Sequence, residues 1–196
     1  MKKMNKNTNW NIPNILTVIR VILVPFFMLT VLLPGESSTW RIIAALMFAL
    51  ISFTDMLDGK IARKYNLVTD FGKFLDPLAD KFLVLGALLA LLKKYSAELG
   101  DLLVWVTLAV ILRELAVTSL RLVAVNKSGT VIAASIWGKI KTVSQMVSVC
   151  FVLLEPVIVT PYLHTPAYLF SVITLVIMLI ATIFSGVDYF VKFFKA

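Results

Sequence analysis

Between Asp55 and Asp80 the chain carries five of its eleven acidic residues, Asp55, Asp58, Asp70, Asp76 and Asp80, although apolar runs lie on both sides. A carboxylate at the centre of a membrane helix costs roughly 2.5 to 3.5 kcal/mol, so four near one another need something to offset their charge. A bound divalent cation would do that. On a helix ending near Arg63, Asp55 and Asp58 stand about 60° apart, and Asp76 and Asp80 stand about 40° apart on the next helix. Two such pairs facing one another make an oxygen-lined pocket. Carboxylate oxygens suit Mg2+, Mn2+ or Ca2+, and no Cys or His is placed nearby to favour zinc. Asp70 falls outside both pairs and reads as a loop residue.

Gly59 directly follows Asp58, and Gly72 lies four residues before Asp76, so at both places the backbone lacks a side chain that would block a ligand. Arg63 follows Gly59 by one helical turn, where its guanidinium could grip a phosphate whose other oxygens the metal holds. The expected ligand is a pyrophosphate between metal and arginine.

The block reads D-x-x-D-G-x-x-A-R, then after eight residues G-x-x-x-D-x-x-x-D, filled here by Asp55, Asp58, Gly59, Ala62, Arg63, Gly72, Asp76 and Asp80. It resembles the signature of the CDP-alcohol phosphotransferases. That resemblance implies that Asp55, Asp58 and Asp76 hold two divalent ions, Mg2+ or Mn2+, while Asp80 also acts as base on the acceptor alcohol. It further implies that Gly59, Ala62, Arg63 and Gly72 bind a CDP-activated lipid, and that the protein is a homodimer.

The elements around the block must cross a membrane. The 196 residues are 60% hydrophobic with a mean hydropathy of +0.93, enough for one domain and far too apolar for a soluble one. The net charge of +8 comes from basic residues flanking apolar segments, which fits the inner-leaflet surface rather than nucleic acid. Cys150 is the only cysteine, so no intramolecular disulfide forms. No cleavable signal peptide is evident, because the polar lead 1–11 runs into an apolar stretch with no A-x-A-like site.

Six spans are expected in one domain, 1–196. Helix one runs from about Asn14 to Leu33, behind Trp10 at the interface and Pro13 in the first turn. Within it Thr17 and Arg20 share a face; Thr17 is a candidate for the CDP lipid, and Arg20 either meets phosphates or snorkels to the interface. Leu33 to Thr39 is a loop, helix two runs from Trp40 to about Arg63, and helix three starts close to Asp76 because of Pro77 and ends near Leu92. Lys93 to Asp101 reads as a polar loop, helix four as Leu102 to Val125, and helix five as a segment with Lys139 and Lys141 near its start, ending by Leu154. Pro156, Pro161 and Pro166 punctuate an outer loop before helix six, about Ala167 to Phe190. Fourteen Lys and Arg residues then fall on one side, against Arg41, Lys93 and Lys94 on the other. Both termini and the aspartate cavity should therefore face the cytoplasm, in a multi-pass protein of the cell membrane.

A second constellation is basic: Arg113, Arg121, Lys139 and Lys141. Arg113 lies well inside an apolar run, where it needs an anionic partner; Glu114, its neighbour, points to another face on a helical projection. An acceptor with its own phosphate would fill that need. Arg113 and Arg121 stand about 80° apart, and Lys139 and Lys141 are on different stripes, so not all four need reach one ligand. Choline or ethanolamine would instead call for aromatic or acidic contacts.

N-I-P-N-I-L-T-V-I-R near the amino terminus, R-E in helix four and G-K-x-K-T at Gly138 to Thr142 are similar to one branch of that family, the phosphatidylglycerophosphate synthases. The resemblance implies transfer of the phosphatidyl group from CDP-diacylglycerol to glycerol 3-phosphate. Phosphatidylglycerol, inositol phosphate or serine are other acceptors the same aspartates could serve. A membrane ion or proton carrier could also use carboxylates, but two glycines and an arginine at helical spacing would then go unexplained. A membrane prenyltransferase normally keeps its two acidic motifs on separate repeats, whereas both lie within one block here.

Overall fold

A chain segment in lipid must satisfy its own N–H and C=O groups, so long apolar runs have little alternative to helix. The computed structural model of the chain describes residues 12–33, 35, 37–64, 70–128, 136–163 and 166–195. Its elements are α1 (Ile12–Leu32), α2 (Ser38–Lys64), α3 (Asp70–Lys94), α4 (Ser96–Ser128) and α5 (Ile136–Leu154), followed by a π-helical turn (Glu155–Val159), α6 (Thr160–Leu163) and α7 (Leu169–Lys195). Among the described residues there is no strand, and four stretches are long and apolar enough to cross a membrane: Asn14–Leu32, Ser96–Arg121, Ile136–Leu163 and Leu169–Phe194. The described residues are thus helical throughout their regular structure, with the long apolar helices of a membrane protein. It divides into two compact units, the first ending at Ala87 and the second starting at Leu88.

In the first unit, α1 buries Asn14, Thr17, Arg20, Val24, Phe27 and Val31, a stripe with three- and four-residue steps. Its first half is polar and its second half apolar. The stripe packs along α2, where Ala44, Ala45, Phe48 and Ile51 are buried and the Phe27 and Phe48 rings stand 5.5 Å apart. Arg20 is buried, so it does not snorkel to solvent. Gly86 of α3 meets α1 so closely that a Cβ there would stand 2.8 Å from Val24 Cγ1 and 3.3 Å from Met28 Sδ. Only glycine permits that approach.

In the second unit, α7 lies against both α4 and α5. Leu103, Val106 and Val110 of α4, Val149 and Val152 of α5, and Leu175 and Met178 of α7 form its apolar core. The segment expected as an outer loop from Pro156 is instead mostly helical. The π-helical turn absorbs Pro156, and the helix resumes through Leu163. Glu155, 0% exposed, accepts hydrogen bonds from Phe170 N (2.8 Å), Ser171 N (2.5 Å) and Ser171 Oγ (2.5 Å). The carboxylate thereby satisfies orphan donors at the start of α7 and meets the positive end of its dipole. Tyr168, just before α7, holds a left-handed φ of 64° with its ring edge-on to Tyr95 at 5.7 Å. Glu155→Ala removes three charge-assisted bonds at once and is expected to lower stability by about 3 kcal/mol or more. The thermal unfolding midpoint in detergent checks this; a midpoint equal to wild type would mean that α7 is anchored elsewhere.

Two further boundaries differ from expectation. Helix α3 starts at Asp70 and runs through Pro77, since proline fits helical φ and membrane helices tolerate the lost donor. Asp70 is therefore a helical position. The expected loop from Lys93 to Asp101 shrinks to Tyr95, because α4 begins at Ser96; Leu99 N donates to Tyr95 O at 2.9 Å. The expected polar loop is thus the first turns of a helix. His164 lies outside the described residues.

Candidate active site

The last part of α2 carries Asp55, Asp58, Gly59, Ala62 and Arg63 on continuous helix, and the first half of α3 carries Gly72, Asp76 and Asp80. Spacings of three and four residues put each aspartate pair on one helical face, as the sequence indicates. The side chains of Asp55, Asp58, Ala62, Arg63 and Asp76 lie outside the described residues, as does that of Gly59's neighbour Lys60. Gly72 is buried and Asp80 half-buried. Ser52, one turn before Asp55, is buried with no hydrogen-bond partner for its hydroxyl among the described residues. Lys81, beside Asp80, donates to Pro77 O at 3.3 Å. Thr17 of α1 is fully buried.

No three His, Cys, Asp or Glu side chains gather as a metal-binding group among the described residues, which exclude three of the four aspartates. The donor set itself, four carboxylates on two helices with no sulfur or imidazole, fits a hard divalent cation.

The basic constellation separates into two pairs. Arg113 and Lys141 come together, whereas Arg121 and Lys139 are exposed and the structure does not bring them into this cluster. Glu114, buried on α4, accepts from Arg113 Nη1 at 3.1 Å and from Lys141 Nζ of α5. Arg113 Nη2 donates to Ser185 Oγ of α7 at 2.7 Å. One carboxylate and one hydroxyl thus tie three helices together. The helical projection put Glu114 on another face from Arg113; the long guanidinium crosses that angle, and the need for an anionic partner is met within the protein. Among the described residues two cations share one carboxylate, which leaves this group one positive charge in excess. Arg113 Nε has no hydrogen-bond partner among the described residues. Such a cluster can accept an anion.

Lys139 and Lys141 separate as their two-residue spacing requires: Lys139 is exposed and Lys141 is 5% exposed. Ser185 was not a candidate from sequence; only its place on the buried stripe Met178, Ala181, Thr182, Ser185, Tyr189 marks it. At the end of α7, Asp188 pairs with Lys192 at 2.8 Å.

Comparison with known proteins bears directly on this block. The family model described as CDP-alcohol phosphatidyltransferase matches residues 10–187. Over 95% of this chain and 97% of the relative, the chain is 40% identical to the CDP-diacylglycerol--glycerol-3-phosphate 3-phosphatidyltransferase of Bacillus subtilis (strain 168). It is 39% identical to a probable phosphatidylglycerophosphate synthase of Mycobacterium tuberculosis (strain ATCC 25618 / H37Rv), over 91% of this chain and 79% of the relative. A CDP-diacylglycerol--glycerol-3-phosphate 3-phosphatidyltransferase of Escherichia coli (strain K12) is 41% identical over 78% of this chain and 82% of its own. With a family match across residues 10–187 and relatives matched over most of its length, the chain belongs to the CDP-alcohol phosphatidyltransferase family.

Proposed function

We propose that this chain transfers the phosphatidyl group of CDP-diacylglycerol to glycerol 3-phosphate, giving phosphatidylglycerophosphate and CMP. The observation that carries the reading is the eight-position block on α2 and α3, within a chain that matches relatives of that name over most of its length. The excess positive charge of the Arg113, Glu114 and Lys141 cluster supports a phosphate-bearing acceptor over a zwitterionic one.

Asp55, Asp58, Asp76 and Asp80 hold two divalent cations, Mg2+ or Mn2+. Such ions, when bound, neutralise pyrophosphate charge and stabilise the charge that develops on the leaving and attacking oxygens. Gly59 and Gly72 leave room for the pyrophosphate, Arg63 grips it, and Ala62 and Thr17 line the CDP-lipid side. Asp80 takes the proton of the 1-hydroxyl of glycerol 3-phosphate. That oxygen then bonds to the phosphorus bearing the diacylglyceryl group, and the bond from this phosphorus to the CMP oxygen breaks, with its electron pair leaving on CMP. Arg113 and Lys141 hold the acceptor phosphate, while the exposed Arg121 and Lys139 attract it from solution.

The working protein is one domain of six spans in the cell membrane, α2 and α3 included, with both termini and the aspartates cytoplasmic. Fourteen basic residues on one side against three on the other support that orientation. A homodimer is the assembly that the family resemblance supports. Chelation with EDTA is expected to abolish CMP release, and added Mg2+ or Mn2+ to restore it. An acceptor panel of glycerol 3-phosphate, phosphatidylglycerol, inositol phosphate and serine should give turnover with the first alone. Turnover with another acceptor, or activity that persists in EDTA, would overturn the acceptor or the metal part respectively.

A further inference from the structure

One turn along α5 from Lys141 lies Gln145, and one turn back along α7 from Ser185 lies Thr182; they are 1% and 0% exposed. Four-residue and three-residue steps keep each on the same helical face as its charged or hydrogen-bonded neighbour. Among the described residues neither Gln145 Oε1 nor Nε2 has a hydrogen-bond partner, and the hydroxyl of Thr182 has none either. Buried polar groups in native proteins are nearly always paired, and an amide that is unpaired at both ends is a costly way to fill apolar space. Leucine or methionine would fill the same volume without that cost. An idle donor beside an idle acceptor complements a group that both gives and takes a hydrogen bond. A hydroxyl does this; phosphate oxygens only accept and an ammonium only donates.

We propose that Gln145 is a specificity-determining residue that receives the 2-hydroxyl of glycerol 3-phosphate, while Arg113 and Lys141 hold the phosphate. The amide oxygen accepts the hydroxyl proton and the amide nitrogen donates to the hydroxyl oxygen. Given the glycerol 3-phosphate reading above, on which this assignment rests, Gln145 separates acceptors by a group that takes no part in bond making. Its pairing with ligand also explains why the amide finds no partner among the described residues.

The test pairs one side chain with one substrate group. 3-Hydroxypropyl phosphate keeps the attacking primary hydroxyl and the phosphate of glycerol 3-phosphate and lacks only the 2-hydroxyl. With full-length protein in detergent, wild type is expected to favour glycerol 3-phosphate in kcat/KM by at least about 10-fold. In Gln145→Leu and Gln145→Met that preference should fall to within about 2-fold through loss with glycerol 3-phosphate, with KM for CDP-diacylglycerol unchanged. Thermal midpoints of both variants should equal or exceed wild type, because an unpaired buried amide is gone. Wild type that takes both acceptors equally would overturn the assignment whether or not the variants fold. So would a folded variant that keeps the full preference, as when Gln145 binds only a buried water. Wild type that releases no CMP with either acceptor would instead sink the glycerol 3-phosphate reading itself.

Discussion

Asp80→Asn is expected to lower CMP release by about 10^3-fold or more while the protein still folds. The substitution keeps the shape of the side chain and removes both its basicity and its charge. Loss of a positioned base alone costs about 10^2- to 10^4-fold, and a weakened metal site adds to that. Stability should hold or rise, because four neighbouring carboxylates repel one another and one charge fewer relieves this. The fall should appear in kcat with either metal, and extra Mg2+ or Mn2+ should not restore it. If Asp80→Asn turned over at near the wild-type rate, Asp80 would be neither base nor essential ligand.

Arg113→Ala should act on the other substrate. It removes the side chain that bonds to both Glu114 of α4 and Ser185 of α7, and takes away one positive charge of the cluster. Lys141 keeps Glu114 as its partner, so the buried ions remain balanced and the fold should survive. KM for glycerol 3-phosphate should rise by about 100-fold, roughly 2.7 kcal/mol, with KM for CDP-diacylglycerol within about 2-fold of wild type. Ser185→Ala removes only the 2.7 Å bond and keeps the charge, so its effect on KM should stay below about 10-fold. Equal losses toward both substrates in Arg113→Ala would point to a structural role for the network and remove Arg113 from the acceptor site.

The parts of this protein that were legible in the sequence are those fixed by local periodicity. Asp55 and Asp58 fall on α2 and Asp76 and Asp80 on α3, as their spacing indicates, and the division of Lys139 from Lys141 follows from a two-residue step on a helix. Composition misled at the ends of helices. Lys93, Lys94, Ser96, Glu98 and Asp101 read as a loop because they are polar, yet they are good enough helix formers to continue the chain in helical form on either side of Tyr95. Pro156 read as a breaker, and a single π-helical turn accommodates it.

Long-range pairing was the least legible. Glu155 caps a helix that starts fourteen residues later, Glu114 pairs with a lysine 27 residues away, and Arg113 reaches a serine 72 residues away. A helical projection treats side chains as spokes of fixed direction, whereas Arg, Lys and Glu bend across 100° of helix surface. The buried Gln145 shows the same limit: its type and position are plain in the sequence, but that no described residue pairs with it is visible only when its neighbours are in place.

Phosphatidyl transfer is measured in purified protein given CDP-diacylglycerol and Mg2+ or Mn2+, with and without glycerol 3-phosphate, and with Asp80→Asn as control. CMP release is expected to require glycerol 3-phosphate, to match phosphatidylglycerophosphate formed mole for mole, and to vanish in Asp80→Asn. CMP release that proceeds equally without glycerol 3-phosphate, or none with it, would mean that the protein does not transfer the phosphatidyl group to this acceptor.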